Sequence, residues 1–142
     1  HELNEADVPT GISAAPMIPA INDMELEAIL RAAKDMGVVQ ASYVFLRLPN
    51  ELKQIFEAWL HAHFPDRASR VLSLIRQSRA GRLNSASFGE RMRGTGSYAE
   101  MLNKRFRVAC KKLALSRQNG DDELDTSIFK LPPKLGDQMK LL

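Results

Sequence analysis

Residues 10–48 read TGISAAPMIPAINDMELEAILRAAKDMGVVQASYVFLRL, the pattern of one strand, one helix and a second strand. Both ends of the stretch, 10–18 and 39–48, are apolar runs with β-branched and aromatic residues, which predicts two buried strands. Residues 22–36 lie between them and repeat apolar side chains at helical spacing, which predicts a helix. A helix that connects two such strands places them parallel, so the sequence predicts an α/β fold.

The sheet predicted by this stretch is incomplete. Strands this apolar belong to parallel sheets that are covered on both faces, and two parallel strands are not expected to stand alone. The chain also begins at His1, in an acidic segment that has the pattern of a helix end. We therefore expect the 142 residues to be a piece of a larger α/β protein, and we expect self-association through the cut sheet.

Composition is that of a globular protein, with 44% hydrophobic and 26% charged residues. One cysteine, Cys110, excludes an internal disulfide and a cysteine-rich metal site built from this chain alone. No apolar run reaches the roughly 20 residues of a membrane helix. We expect a cytoplasmic protein that does not associate with membranes.

Charge is distributed unevenly along the chain. Residues 1–60 carry a net charge of −5, residues 61–117 a net charge of +10, and residues 118–142 a net charge of −2. A basic middle segment favours a polyanionic partner, either a nucleic acid or a phosphorylated ligand. An acidic surface of the missing part would satisfy the same charges.

The pattern divides the chain into three parts. Residues 1–64 form two strand–helix units, residues 65–117 a basic helical extension, and residues 118–142 an extended tail. Residues 80–98 inside the extension are predicted to be a loop with four glycines and three arginines. Loops of this length are commonly functional, and arginine forms bidentate hydrogen bonds with phosphate or carboxylate groups. The alternative is a basic surface loop that packs through its apolar residues.

Local patterns place several individual residues. Asn22 or Asp23 is predicted to cap the first long helix. Arg47 ends the second strand, on the side of a parallel sheet where ligands bind. Arg79 is expected among the charged residues away from the apolar face of the helix that begins near residue 65. Cys110 is expected in the core.

Three segments together resemble a known family. They are PMIPAIND at 16–23, YVFLRLP at 43–49 and FGERMRGTGSYA at 88–99. In this order they are similar to the C-terminal half of radical S-adenosylmethionine (SAM) proteins, in the branch related to spore photoproduct lyase. The resemblance covers most of residues 8–115, and the arginine–glycine segment is its most specific part.

The resemblance implies a C-terminal fragment of a partial (β/α)6 barrel, with two parallel strands and a helical C-terminal extension. It also implies a [4Fe-4S] cluster held by three closely spaced cysteines, which this chain lacks. The implied chemistry is reductive cleavage of SAM, followed by hydrogen abstraction from a substrate. The fragment would be inactive alone and would help to bind SAM and close over the substrate. The alternative is a non-catalytic basic module that binds nucleic acid.

The resemblance also implies site residues. In the family the turn after the fifth strand carries a Gly-x-Ile-x-Gly-x-x-Glu-like pattern, in which the isoleucine packs on the adenine of SAM. Ile18 matches that isoleucine, whereas Pro16, Ala20 and Asp23 replace the two glycines and the glutamate. The implied cofactor-binding residues are Pro16, Met17, Ile18, Pro19, Leu46, Arg47 and Leu48. The candidate substrate contacts are Arg82, Arg91, Arg93 and Tyr98, with Arg47 beside them.

Overall fold

The structure is a computed structural model that describes residues 1–117. The linker and extended tail predicted for residues 118–142 lie outside the described residues. In chain order the elements are α1 (Glu2–Glu5), β1 (Gly11–Met17), a 3₁₀ turn (Asp23–Glu25), α2 (Leu26–Asp35), β2 (Gln40–Phe45), α3 (Leu52–His63), α4 (Pro65–Gln77), α5 (Glu90–Arg93), α6 (Gly96–Leu113) and β3 (Ser116–Arg117). None of the helices in this part of the chain is long and apolar enough to cross a membrane.

The strands form a parallel sheet in the order β1–β2–β3. The register of β1 and β2 runs from Gly11 opposite Gln40 to Met17 opposite Phe45. The predicted α/β class and the parallel pair are confirmed. The prediction of two strands is wrong, because the chain returns after α6 and pairs Ser116 with Gln40.

The first core lies between β1 and β2 on one side and α2 and α6 on the other. Leu26 and Leu30, one turn apart on α2, are fully buried in it, and complete burial of a leucine side chain stabilises a fold by about 1.5–3 kcal/mol. Gly11 and Ser13 point to the opposite face of β1 and are exposed. Within residues 1–117 the sheet is therefore covered on one face and open on the other at β1.

A second core lies beyond the carboxyl ends of β1 and β2. Leu46 and Leu48, which directly follow β2, are buried there against Leu60 of α3 and Val71 and Ile75 of α4. The sequence predicts that β2 continues to residue 48, whereas the strand ends at Phe45. The leucines are apolar because they belong to this second core.

The segment predicted to be a loop at residues 80–98 contains the short helix α5, and α6 begins inside it at Gly96. Thr95 occupies the cap position of α6, but its side chain makes no capping hydrogen bond. Gly94 has a φ of +75°, and a Cβ there would lie 3.1 Å from the carbonyl oxygen of Ser78. The glycine therefore permits the close approach between the end of α4 and the start of α6.

Candidate functional site

The turn after β1 is closed by the side chain of Asn22. Its Oδ1 accepts a hydrogen bond from the amide of Ile18 at 2.7 Å, and its Nδ2 donates to the carbonyl oxygen of Pro16 at 3.0 Å. Ala20, between them, has a φ of +56°. Asn22 makes no side-chain cap to the following helix, so the predicted capping role is wrong and the side chain fixes the turn instead.

The two segments predicted to bind the cofactor are adjacent. The amide of Leu46 donates to the carbonyl oxygen of Met17 at 3.0 Å. This bond continues the pairing of β1 with β2 past the last strand residues. The structure therefore brings residues 16–19 and residues 46–48 together at the carboxyl edge of the sheet.

Most side chains of these two segments face inward. Those of Met17, Pro19, Leu46 and Leu48 are buried. Pro16 is exposed, while Ile18 and Arg47 are half-buried. Only these last three can offer side-chain surface to a ligand at this edge.

Several backbone hydrogen-bonding groups of residues 46–48 already have partners within the protein. The amide of Leu46 binds Met17, and the amide of Leu48 donates to Oδ1 of Asn84 at 3.3 Å. The carbonyl oxygen of Leu46 accepts a hydrogen bond from Arg79. A ligand that uses backbone groups of residues 46–48 would therefore use those of Arg47 or the carbonyl oxygen of Leu48.

Arg79 is buried, with 2% of its surface exposed, so its predicted surface position is wrong. Its Nη2 donates to the carbonyl oxygen of Leu46 at 2.9 Å, and its Nη1 donates to that of Glu90 at 2.8 Å. Burial lowers the pKa of Arg79, aided by the nearby charge of Arg47, yet an arginine remains protonated in proteins. Arg79 therefore ties α5 to the carboxyl end of β2.

The sequence contains a signal for the buried position of Arg79. The apolar stripe of α4 is Ala68, Val71, Leu72 and Ile75, and the next positions at the same spacing are 78 and 79. The sequence predicts a surface position for Arg79 because arginine is usually exposed. Its position in the stripe, however, is that of a buried residue.

Arg47 lies between the second core and α5. Its Nη1 is 3.9 Å from the sulfur of Met92, and a thioether is only a weak acceptor. Its Nε is buried and has no hydrogen-bond partner in the described part of the chain. The guanidinium group of Arg47 therefore has N–H donors that are not used by strong acceptors in the described part of the chain and that are left for a ligand.

The predicted substrate contacts lie in different surroundings. Arg82 is exposed. The guanidinium carbon of Arg91 is 5.3 Å from the ring centre of the exposed Phe88. Arg93 lines a cleft with residues of β2 and α6. No ion pair joins any of these arginines to a carboxylate within residues 1–117.

Tyr98 belongs to a network that joins α6 to the start of α2. Its hydroxyl donates to Oδ2 of the buried Asp23 at 2.5 Å. Burial raises the pKa of Tyr98 to about 12, and the hydrogen bond to Asp23 adds to the shift. The Tyr98 hydroxyl therefore donates its hydrogen bond to a group within the protein.

Arg105 completes this network. It binds both carboxylate oxygens of Glu27, at 2.8 and 2.6 Å, and donates to the carbonyl oxygen of Asp23 at 2.9 Å. The hydrogen bond to Arg105 lowers the pKa of Glu27. The predicted cap Asp23 makes no capping bond and instead holds Tyr98 and Arg105. The sequence reasoning missed this role, because the partners are 75 or more residues apart.

No group of three or more His, Cys, Asp or Glu side chains suited to a metal ion occurs among the described residues. Cys110 is buried in the first core, as predicted, and burial raises the pKa of its thiol. Because Cys110 is the only cysteine of the chain, the thiolates of a [4Fe-4S] cluster would have to come from other residues.

Comparisons of the chain with protein-family models, with curated proteins and with solved structures gave no match. The function proposed below therefore rests on the resemblance of the three segments described above and on the geometry of their residues.

Proposed function

We propose that this chain is the C-terminal part of a radical SAM enzyme and contributes the last two strand–helix units of a partial barrel. The observation that carries the proposal is the hydrogen bond from the Leu46 amide to the Met17 carbonyl oxygen. It joins the two segments for which the resemblance implies contact with SAM. Both segments follow parallel strands, and ligands of open α/β sheets bind at the carboxyl ends of such strands.

The open face of the sheet supports the same proposal. Parallel sheets are normally covered on both faces, but Gly11 and Ser13 of β1 are exposed on the side away from α2 and α6. In a partial barrel this side would be the interior, where small side chains leave room for a cofactor and a substrate. The exposed positions therefore agree with a sheet that continues in other residues.

The residues of this chain would bind and shield SAM. Ile18, in the turn fixed by Asn22, would pack on the adenine, and the backbone of Arg47 would meet its edge. The cluster and SAM, when bound, supply the hydrogen-abstracting chemistry. The chain's own contribution is a preformed edge that orients one end of SAM.

The basic segment would close over the substrate. Arg79 ties α5 to the carboxyl end of β2, so Arg91 and Arg93 are carried next to the edge where the cofactor would lie. Their guanidinium groups have no carboxylate partner in residues 1–117. They are therefore suited to a phosphorylated or nucleic-acid substrate.

A nucleic-acid-binding module without catalysis is the second candidate. It is favoured by the net charge of +10 on residues 61–117, because neutralisation of phosphates by basic side chains drives non-specific binding. The two candidates differ in one requirement, since only the radical SAM enzyme has to bind SAM.

SAM binding by the natural full-length polypeptide tests the proposal. We compare Ile18→Ala with Ile55→Ala, because Ile55 is 61% exposed on α3 and lies outside the predicted site. Loss of the adenine contact should weaken SAM binding about tenfold in Ile18→Ala, and Ile55→Ala should bind as the wild type does. Calorimetric titration and melting curves of both variants provide the readouts. Equal SAM affinity in the two folded variants would contradict the proposed contact, and a wild type that does not bind SAM would contradict the function.

A further inference from the structure

A narrow cleft lies between β2, the end of β3, α5 and α6. It has a volume of about 40 Å³, and three arginines line it, namely Arg93, Arg107 and Arg117. The cleft forms because β3 pairs with β2 only at Gln40 and Ala41, while α5 packs against β2. The gap between these two neighbours of β2 is bordered by positive charge.

These arginines have no carboxylate partner among residues 1–117. None of the three forms an ion pair or a hydrogen bond in the described part of the chain, and the residues that line the cleft include no acid. Three guanidinium groups around one small space repel one another, and because all three residues are exposed, solvent screens part of this repulsion. An anion in the cleft would relieve this repulsion.

The hydroxyl of Tyr43 provides a second, independent observation. Tyr43 lines the cleft and is only 7% exposed. Its ring packs against that of Phe106, but its hydroxyl has no hydrogen-bond partner among residues 1–117. A buried hydroxyl without a partner destabilises a fold, so an acceptor bound in the cleft would be stabilised by this donor.

The cleft opens onto a larger groove of about 680 Å³. The two share Asn103, Arg107 and Arg117. Lys104 and Lys111 add positive charge to the groove, and Glu100 is its one acid among the described lining residues. Its volume falls in the range of small-molecule sites, which is about 300–1,000 Å³.

We infer that the cleft binds the terminal phosphate of a small phosphorylated ligand, whose remaining part lies in the groove. With a volume of about 40 Å³, the cleft is suited to a compact anionic group such as a phosphate and is too small for a whole small-molecule ligand. The three arginines neutralise the phosphate, and the Tyr43 hydroxyl donates to one of its oxygens.

The residues of this site are distinct from those proposed to bind SAM, although Arg93, a predicted substrate contact, is common to the cleft and the proposed function. The site lies on the side of β2 that packs on α6, because Tyr43 contacts Phe106 there. The turn predicted to bind SAM is at the carboxyl edge, between Met17 and Leu46. Phosphate binding at Tyr43 and SAM binding at Ile18 can therefore succeed or fail separately.

Titrations of inorganic phosphate and of adenosine monophosphate into the 142-residue chain test the inference, at constant ionic strength. Arg107→Ala should lower both affinities about tenfold or more. Arg70→Ala is the matched control, because Arg70 is exposed on α4 and lines neither space. Equal affinities in these two variants, or no saturable binding by the wild type, would overturn the site.

Tyr43→Phe separates binding from stability. Without phosphate, the variant should melt at the same temperature as the wild type or higher, because an unpartnered buried hydroxyl is removed. Its affinity for phosphate should nevertheless fall about fivefold or more. Unchanged phosphate affinity would overturn the role of the hydroxyl. An oligonucleotide without a terminal phosphate that binds more tightly than adenosine monophosphate, and loses affinity in Arg107→Ala, would overturn the small ligand in favour of nucleic acid.

Discussion

The guanidinium carbon of Arg79 lies 5.2 Å from the centre of the Phe45 ring, at the point where β2 ends. From there the same side chain reaches the carbonyl oxygens of Leu46 and Glu90. One buried cation therefore links the sheet, the chain that follows β2 and the short helix α5. The position of α5, and of the arginines on it, depends on this contact.

Replacement of Arg79 tests this dependence. Arg79→Ala should lower the free energy of unfolding by about 2–4 kcal/mol, because two carbonyl oxygens lose a charged donor. Arg82→Ala provides the control, since Arg82 is exposed and should change stability by no more than about 0.5 kcal/mol. The measurement is denaturant unfolding of both variants. Equal stability of the two would show that Arg79 does not hold α5.

The Tyr98–Asp23 hydrogen bond should make stability sensitive to alkaline pH. The folded protein raises the pKa of Tyr98 from 10.0 to about 12, so this group contributes its full stability below pH 10. The contribution is lost as the pH rises through 12. Because Tyr98 is partly exposed, we expect a loss of about 1 kcal/mol.

The Tyr98→Phe variant provides the control for this pH dependence. It should be less stable than the wild type at neutral pH and should lose less stability between pH 10 and 12. Chemical unfolding at several pH values, with tyrosinate absorbance as a parallel readout, measures the difference. The same alkaline loss in both proteins would assign it to other groups.

Arg91 and Arg93 are predicted to contact phosphate. With a single-stranded oligonucleotide as the probe, Arg91→Ala and Arg93→Ala in the natural full-length polypeptide should each weaken binding about tenfold. The salt slope should become shallower by about 0.7 for each lost contact. Melting temperatures should barely change, because neither side chain has a carboxylate partner in the described structure.

The exposed Arg67 on α4 supplies the control for these variants. Arg67→Ala removes the same charge away from α5 and should leave both affinity and slope close to those of the wild type. A lower melting temperature with an unchanged slope in the α5 variants would show that the two arginines stabilise the fold rather than bind substrate.

The sequence was sufficient for the central strand–helix–strand unit. Residues 10–18 and 39–48 were predicted as strands, and β1 and β2 lie within them, because apolar periodicity is strong where a sheet packs on helices. β3 could not be predicted in this way. It has only two residues, Ser116 and Arg117, and both are exposed. They therefore do not show the alternation of apolar and polar residues that marks a half-buried strand.

The candidate site was predictable only in part. The order of strands and turns predicts the carboxyl edge with Arg47, whereas Ile18 is implied only by the family resemblance. The contacts of Arg79 and Tyr98 could not be predicted, because they join residues far apart in the chain and use charged or polar side chains in buried positions. Residue type suggests a surface position for such groups, and only tertiary packing reveals where they bind.

The chain by itself should not assemble an iron–sulfur cluster. Cys110 is its only cysteine and is buried, whereas a [4Fe-4S] cluster of this class needs three thiolates from the protein. We expect no stable iron after incubation with iron, sulfide and reductant. Iron analysis of the desalted chain provides the measurement, and about four irons per chain would contradict this expectation.

The most direct test of the radical SAM proposal uses the natural full-length polypeptide that contains these residues, purified without oxygen and supplied with iron and sulfide. Iron content is measured, and after addition of SAM and a reductant the release of 5'-deoxyadenosine is followed by chromatography. The proposal predicts about four irons per polypeptide and release of 5'-deoxyadenosine that requires both SAM and the reductant. A folded polypeptide that holds no cluster and leaves SAM intact would contradict it.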